Sequence, residues 1–158
     1  MCVKFVLRQR VFSWFDSYDI CDEHGNFVYR VEGKLDWGHK LLIYNAYGDE
    51  IAQIKEEVFT FMPKFYMIIN QQEVGVIQKE FSFLKPKFHV SFNDWTITGD
   101  FLGLNYEVLD QGRLVMKVYQ ELFRWSDSYV VDIVNEQDCL YCLMITLAID
   151  AAKCSQGN

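Results

Sequence analysis

Most of the chain is written in short blocks of one form: apolar–x–apolar, a kink, then apolar–x–apolar. A period of two puts successive side chains on opposite faces and marks half-buried strands. Turn signals separate the blocks: Glu23-His24-Gly25-Asn26, Ala46-Tyr47-Gly48-Asp49, Asn70-Gln71-Gln72-Glu73, Asn93-Asp94 and Asp110-Gln111-Gly112. Gly and Asn supply the positive φ that tight hairpins need. A strand on each side of every turn and kink predicts about twelve short strands.

The blocks repeat. GDEIAQIKEEVFTFMPKFYM at 48–67 matches GRLVMKVYQELFRWSDSYVV at 112–131 with a shift of 64 residues. The shift superposes Ile51 on Val115, Ile54 on Val118, Phe59 on Phe123, Phe61 on Trp125 and Phe65 on Tyr129. FMPKFYM at 61–67 returns 23 residues later as LKPKFHV, and FSWFDSYDI at 12–20 returns 23 residues later as LDWGHKLLI. A fixed period means one supersecondary unit used several times.

A meander of hairpins leaves two open edges, and closure into a barrel removes them. A wall of about twelve strands is too wide for its own side chains to fill. The C-terminal segment is the expected filling. Asn135-Glu136-Gln137-Asp138 reads as a helix start, with Asn135 as cap and acids facing the helix dipole. The residues that follow, 139–152, are apolar on every face, which a helix tolerates only in a membrane or in a core. At roughly 24 Å this helix is too short to span a bilayer and suits a barrel interior. The expected fold is a mainly β, closed antiparallel barrel around a central apolar helix.

Composition narrows the function classes. With 158 residues, 51% apolar and 16% aromatic, the chain can repay the entropy of folding, so disorder is excluded. Pro63 and Pro86 are the only prolines and no linker is visible, so one domain over 1–158 is expected. A net charge of −7 argues against nucleic-acid binding, which draws its affinity from a basic excess. It also disfavours general adhesion to anionic membranes, while leaving room for a local basic patch. Lys4, Arg8 and Arg10 interrupt the first apolar residues, so no secretory signal is expected. The longest apolar run, 139–149, is about half the ~20 residues of a membrane span. Five cysteines, an odd number, read as reduced thiols. A cytoplasmic protein without a transmembrane segment is expected.

The segments FSWFDSYDICDEHGN at 12–26, IKEEVFTFMPKFYM at 54–67 and FRWSDSYVVDI at 123–133, leading into LMITLAIDAA at 143–152, resemble the LURP-one-related family in its bacterial YxjI-like form. The resemblance runs over essentially the whole chain. It implies the tubby C-terminal-like superfamily, which includes phospholipid scramblases, and a twelve-stranded barrel around a central helix. It implies no settled activity. Tubby-type domains bind phosphoinositides through a basic groove, scramblase-like members are associated with membranes and calcium, and plant members with defence. A shared fold does not transfer any of these roles.

Several motifs have both a chemical and a packing interpretation. Cys139-x-x-Cys142 near a helix start resembles a redox pair, yet no βαβ unit precedes it and both residues fall in the expected core. Cys21 and His24 would complete a zinc set with them only if a hairpin turn reached the helix. His24, His39 and His89 are scattered, with no nucleophile motif nearby. The triplets Asp16-Ser17-Tyr18 and Asp127-Ser128-Tyr129, with Asp19, Asp22, Glu23 and Asp132 close by, suggest calcium. No spaced calcium loop exists, and Asp and Ser at strand kinks bond local backbone. Trp14, Trp37, Trp95 and Trp125 read as core or rim packing.

Lys64, Lys85 and Lys87 flank the two Pro-Lys-Phe turns and Lys79 is near them in sequence. If their hairpins are neighbours, the four lysines form a candidate patch for a phosphate headgroup, with Arg8 and Arg10 as possible extensions. The sequence therefore predicts a non-enzymatic binding or scaffold module for an anionic lipid headgroup or a protein partner, with no cofactor, no metal and no catalytic residue. Two rivals are a pure protein-interaction or structural domain, which a large exposed apolar patch would favour, and an enzyme with its site at the barrel mouth.

Overall fold

The computed structural model describes residues 2–9, 18–91, 93–120 and 128–155. Its strands are β1 (Val3–Gln9), β2 (Tyr18–Asp22), β3 (Phe27–Asp36), β4 (Gly38–Asn45), β5 (Glu50–Glu56) and β6 (Lys64–Ile69), then β7 (Gln72–Glu80), β8 (Lys87–Val90), β9 (Trp95–Asp100), β10 (Asn105–Asp110), β11 (Arg113–Tyr119) and β12 (Ser128–Ile133). The helix α1 (Cys139–Ser155) comes last. Each strand pairs antiparallel with the next, and β1 pairs with both β2 and β12, so the wall closes. The closing register runs from Val3 opposite Ile133 to Arg8 opposite Ser128.

All five turns read from the sequence join adjacent strands. Two of them carry the same device. Asp22 Oδ1 accepts the backbone N–H of His24 at 2.9 Å and of Asn26 at 2.8 Å. Asn45 Oδ1 accepts those of Tyr47 at 3.0 Å and Asp49 at 2.9 Å. These side chains mimic a backbone turn and fix the hairpin register. Two further turns lie outside those five: Trp37, in the kinked block LDWGHKLLI, alone links β3 to β4, allowed by Gly38 at φ 100°, and residues 101–104 link β9 to β10.

The 64-residue repeat is structural. It carries the turn at Gly48 onto Gly112 and β6 onto β12 residue for residue. Equivalent inward positions are buried in both copies: Ile54 and Val118, Phe65 and Tyr129, Met67 and Val131.

The interior is filled by α1. Leu143, Met144, Ile145, Leu147, Ala148 and Ile149 occupy every side of the helix and none is more than 1% exposed. The one polar residue among them, Thr146, donates its hydroxyl to the Cys142 carbonyl at 2.9 Å, so its own donor is not left bare. The helix start departs from expectation. Residues Glu136–Asp138 form a 3-10 turn, and the Asn135 side chain makes no cap bond. Its amide instead lies 3.5 Å from the Asp138 carboxylate, which leaves the capping to the turn's own backbone bond from Asp138 N–H to Asn135 O at 3.0 Å. At the far end the Tyr18 hydroxyl donates to the Asp150 carboxylate, and Lys153 Nζ donates to the Leu102 carbonyl at 3.3 Å. The C-terminal end of the helix is thus tied to the wall.

Truncating the helix at its middle tests this arrangement. Leu147→Ala leaves a cavity that strands on all sides cannot collapse into, and should cost about 2–5 kcal/mol in urea-denaturation free energy.

Candidate functional site

An up-and-down wall sends alternate connections to opposite ends. The links β3–β4, β5–β6, β7–β8 and β9–β10 open at one rim, where α1 also ends. The links β2–β3, β4–β5, β6–β7, β8–β9 and β10–β11 open at the other. The four candidate lysines all lie toward the first rim, on β6, β7, β8 and the β7–β8 connection, which are neighbours in the wall.

The structure brings three of them together. Lys79 and Lys85 line a cleft of about 400 Å³ between the 57–63 and 81–86 connections, with Phe61, Phe81 and Phe83. Lys85 and Lys87 line an adjoining groove of about 960 Å³ with His89, Thr96 and Thr98. The two share Glu80, Leu84, Lys85 and Pro86 as a common ridge. Lys79 has the inward parity of Gly75 and Ile77 and stands opposite the buried Phe88, so burial lowers its pKa. Lys87 faces outward opposite Glu80.

Lys64 stands apart. Its Nζ lies 2.8 Å from Glu57 Oε2 and 5.1 Å from the centre of the Tyr66 ring. The bond to Glu57 raises the Lys64 pKa, and the same bond lowers that of Glu57. Its charge is already answered within its own hairpin. Arg8 is exposed on β1; Arg10 lies outside the described residues.

The groove exists because the wall thins there. β8 has only four residues and meets β9 through a single opposed pair, His89 and Thr96. Pro86 lacks an N–H and ends the pairing on that side. Phe101 folds inward behind this seam, with its ring 5.0 Å from Phe88 and 5.3 Å from Tyr106, and keeps the opening shallow. The result is a surface groove over an aromatic floor, lined by Lys85 and Lys87 and also by Glu80 and Asp100.

The family profile for LURP-one-related proteins matches residues 3–150. The chain belongs to the LURP-one-related family. This LURP-one-related chain is 28% identical to the uncharacterized protein YxjI of Bacillus subtilis (strain 168) over 149 residues, covering 94% of this chain and 92% of that protein. It is also similar in fold to an Arabidopsis thaliana protein known from an X-ray structure, with a TM-score of 0.66 at 12% identity over 98% of this chain and 92% of that one. At that identity the likeness establishes the barrel and its helix and nothing about activity.

Elsewhere in the LURP-one-related barrel the motifs serve packing and turns. Cys139 and Cys142 are buried on α1. Burial, aided by Glu136 and Asp138, pushes the Cys139 thiol up to about 11, and burial drives Cys142 higher still. That is opposite to the lowering a reactive thiol needs. His24 lies in an exposed turn, 3.7 Å from Glu23, and among the described residues no three His, Cys, Asp or Glu are grouped to hold a metal ion. His39 Nδ1 meets Glu56 Oε2 at 2.6 Å, joining the β3–β4 tip to β5. Tyr18 and Tyr129, the last residues of the two triplets, are core residues, and Asp132 lies 3.7 Å from Lys4. Trp95 is buried whereas Trp37 is exposed at the rim. Asp16, Ser17, Asp127, Trp14 and Trp125 lie outside the described residues. No described helix is long and apolar enough to cross a membrane.

The buried thiols make a checkable statement. At pH 8 a thiol reagent should leave Cys139 and Cys142 unmodified in the folded protein, as peptide mass spectrometry reads directly. Ionisation of thiols in the unfolded chain begins near 9 while Cys139 holds its proton to about 11, so stability falls as pH rises through that window. Thermal unfolding followed across it should show a declining midpoint.

Proposed function

We propose that this LURP-one-related protein, as one domain over residues 1–158, is a non-enzymatic binding module of the cytoplasm that recognises anionic lipid headgroups. Lys79, Lys85 and Lys87 supply the recognition and Lys64 stands at its margin; no cofactor or metal is required. What carries this reading is the gathering of Lys79, Lys85 and Lys87 in two adjoining clefts at one rim. A phosphate group is held best where several cationic donors converge on it.

An enzymatic site would be expected to hold strongly shifted titrating groups in a cleft. Here the strong shifts belong to Cys142 and Tyr106, in the packed interior. The protein-interaction reading draws on exposed apolar side chains at the same rim. Lysine is depleted from the cores of protein interfaces, and its presence among those side chains weighs toward the headgroup reading.

Co-sedimentation with phosphatidylserine-containing vesicles at about 0.15 M ionic strength tests the proposal. The protein should pellet with these and much less with phosphatidylcholine alone. The double variant Lys85→Glu/Lys87→Glu should bind at least about tenfold more weakly, and Lys64→Glu should lose less, because Glu57 already occupies that charge. Equal binding of the double variant would overturn the assignment.

A further inference from the structure

We propose that the lysine-bearing rim inserts into the bilayer interface through aromatic and aliphatic side chains at its loop tips; this rests on the headgroup reading of the same rim. Hairpin parity places the tips together. Phe59 and Phe61 on the β5–β6 connection are 95% and 93% exposed, and Phe83 and Leu84 on β7–β8 are 91% and 94% exposed. Trp37 on β3–β4 and Leu102 on β9–β10 are 77% and 68% exposed at the same rim. A folded chain normally hides most large apolar side chains, and a concentration of exposed ones marks a contact surface.

The backbone at one of these tips is strained. Phe59 sits at φ 71°, in the left-handed region that a bulky side chain rarely occupies. Phe81 and Phe83 make an edge-on pair, their rings 4.8 Å apart, yet Phe83 still projects into solvent.

Charge selects a membrane as the occupant. Lysines stand behind each tip among carboxylates: Lys34 and Lys40 with Asp36 behind Trp37, Lys64 paired with Glu57 behind Phe61, Lys85 and Lys87 with Glu80 around Leu84, and Lys153 on the Leu102 carbonyl. Apolar tips backed by lysines match the layering of an acyl boundary beneath anionic headgroups. The opposite rim is acidic, with Asp22, Glu23, Asp49, Asp94, Glu136 and Asp138 in or beside its turns. A chain with a net charge of −7 is repelled by an anionic surface in any other orientation, and this polarity turns the lysine rim toward it. The tips are interleaved with lysines, which the cores of protein interfaces are depleted in, whereas a bilayer interface accepts apolar tips among lysines.

The full chain and the triple variant Phe59→Ser/Phe61→Ser/Phe83→Ser separate the two steps. The substituted positions are exposed, so the variant's melting temperature should match that of the parent. The parent should raise the surface pressure of a phosphatidylserine-containing monolayer. It should also keep part of its vesicle binding at about 1 M salt, where the Debye length falls to ~3 Å. The triple variant should give no pressure rise, lose the salt-resistant fraction, and bind at least about tenfold more weakly at low salt. Salt-sensitive vesicle binding by the parent without a pressure rise would overturn insertion and leave headgroup recognition standing. No vesicle binding at all would overturn both. Light scattering that shows a parent dimer and a monomeric triple variant would overturn insertion by assigning the tips to self-association.

Discussion

A helix with no water-compatible face is the constraint on which this molecule is built. From Cys142 to Ile149 every side chain of α1 is buried, so nothing short of an enclosing wall satisfies it. The wall has the complementary need, because twelve strands enclose more space than their inward side chains occupy. Each element is the solvent for the other. The dryness of the interior follows: Thr146 bonds backward to its own helix, and the thiols of Cys139 and Cys142 are held protonated.

The same wall sorts chemistry without long-range design. In an up-and-down meander the parity of a connection decides its end, and the two sets differ in kind. One set is tight turns closed by Asp22 and Asn45 side chains and rich in acid. The other includes longer connections, 57–63 and 81–86, that carry Phe, Pro and Lys. Because these two connections lie side by side, Lys79 and Lys85 share a cleft with Phe61 of the neighbouring hairpin.

Much of the fold was legible because it is local and periodic. Positive-φ turn residues, the alternation in β5 and β6, and the shift that lays β6 onto β12 all lie within short windows. The apolar helix was legible because no other placement satisfies it. What misled is also local: Phe59-x-Phe61 and Phe81-x-Phe83 have the period of a strand, yet they form loop tips, and periodicity alone does not say whether an aromatic faces a wall or water. The turn at Trp37 showed only as a kink in the LDWGHKLLI block, because a single residue suffices there. Among the lysines, sequence proximity suggested one group of four. Lys64 falls away because Glu57 lies across its hairpin, and Lys79 turns inward because of its parity with Ile77, both matters of register.

Closure between β1 and β12 sets the order in which the molecule is able to fold. Val3 must find Ile133 across nearly the whole chain, and the filling helix lies beyond even that. Hairpins such as β3–β4 have local contacts and form early, but their inward faces stay without a partner until α1 arrives. High contact order of this kind slows folding and exposes apolar strands meanwhile. On a ribosome the nascent chain therefore carries an unfinished sheet until α1 emerges.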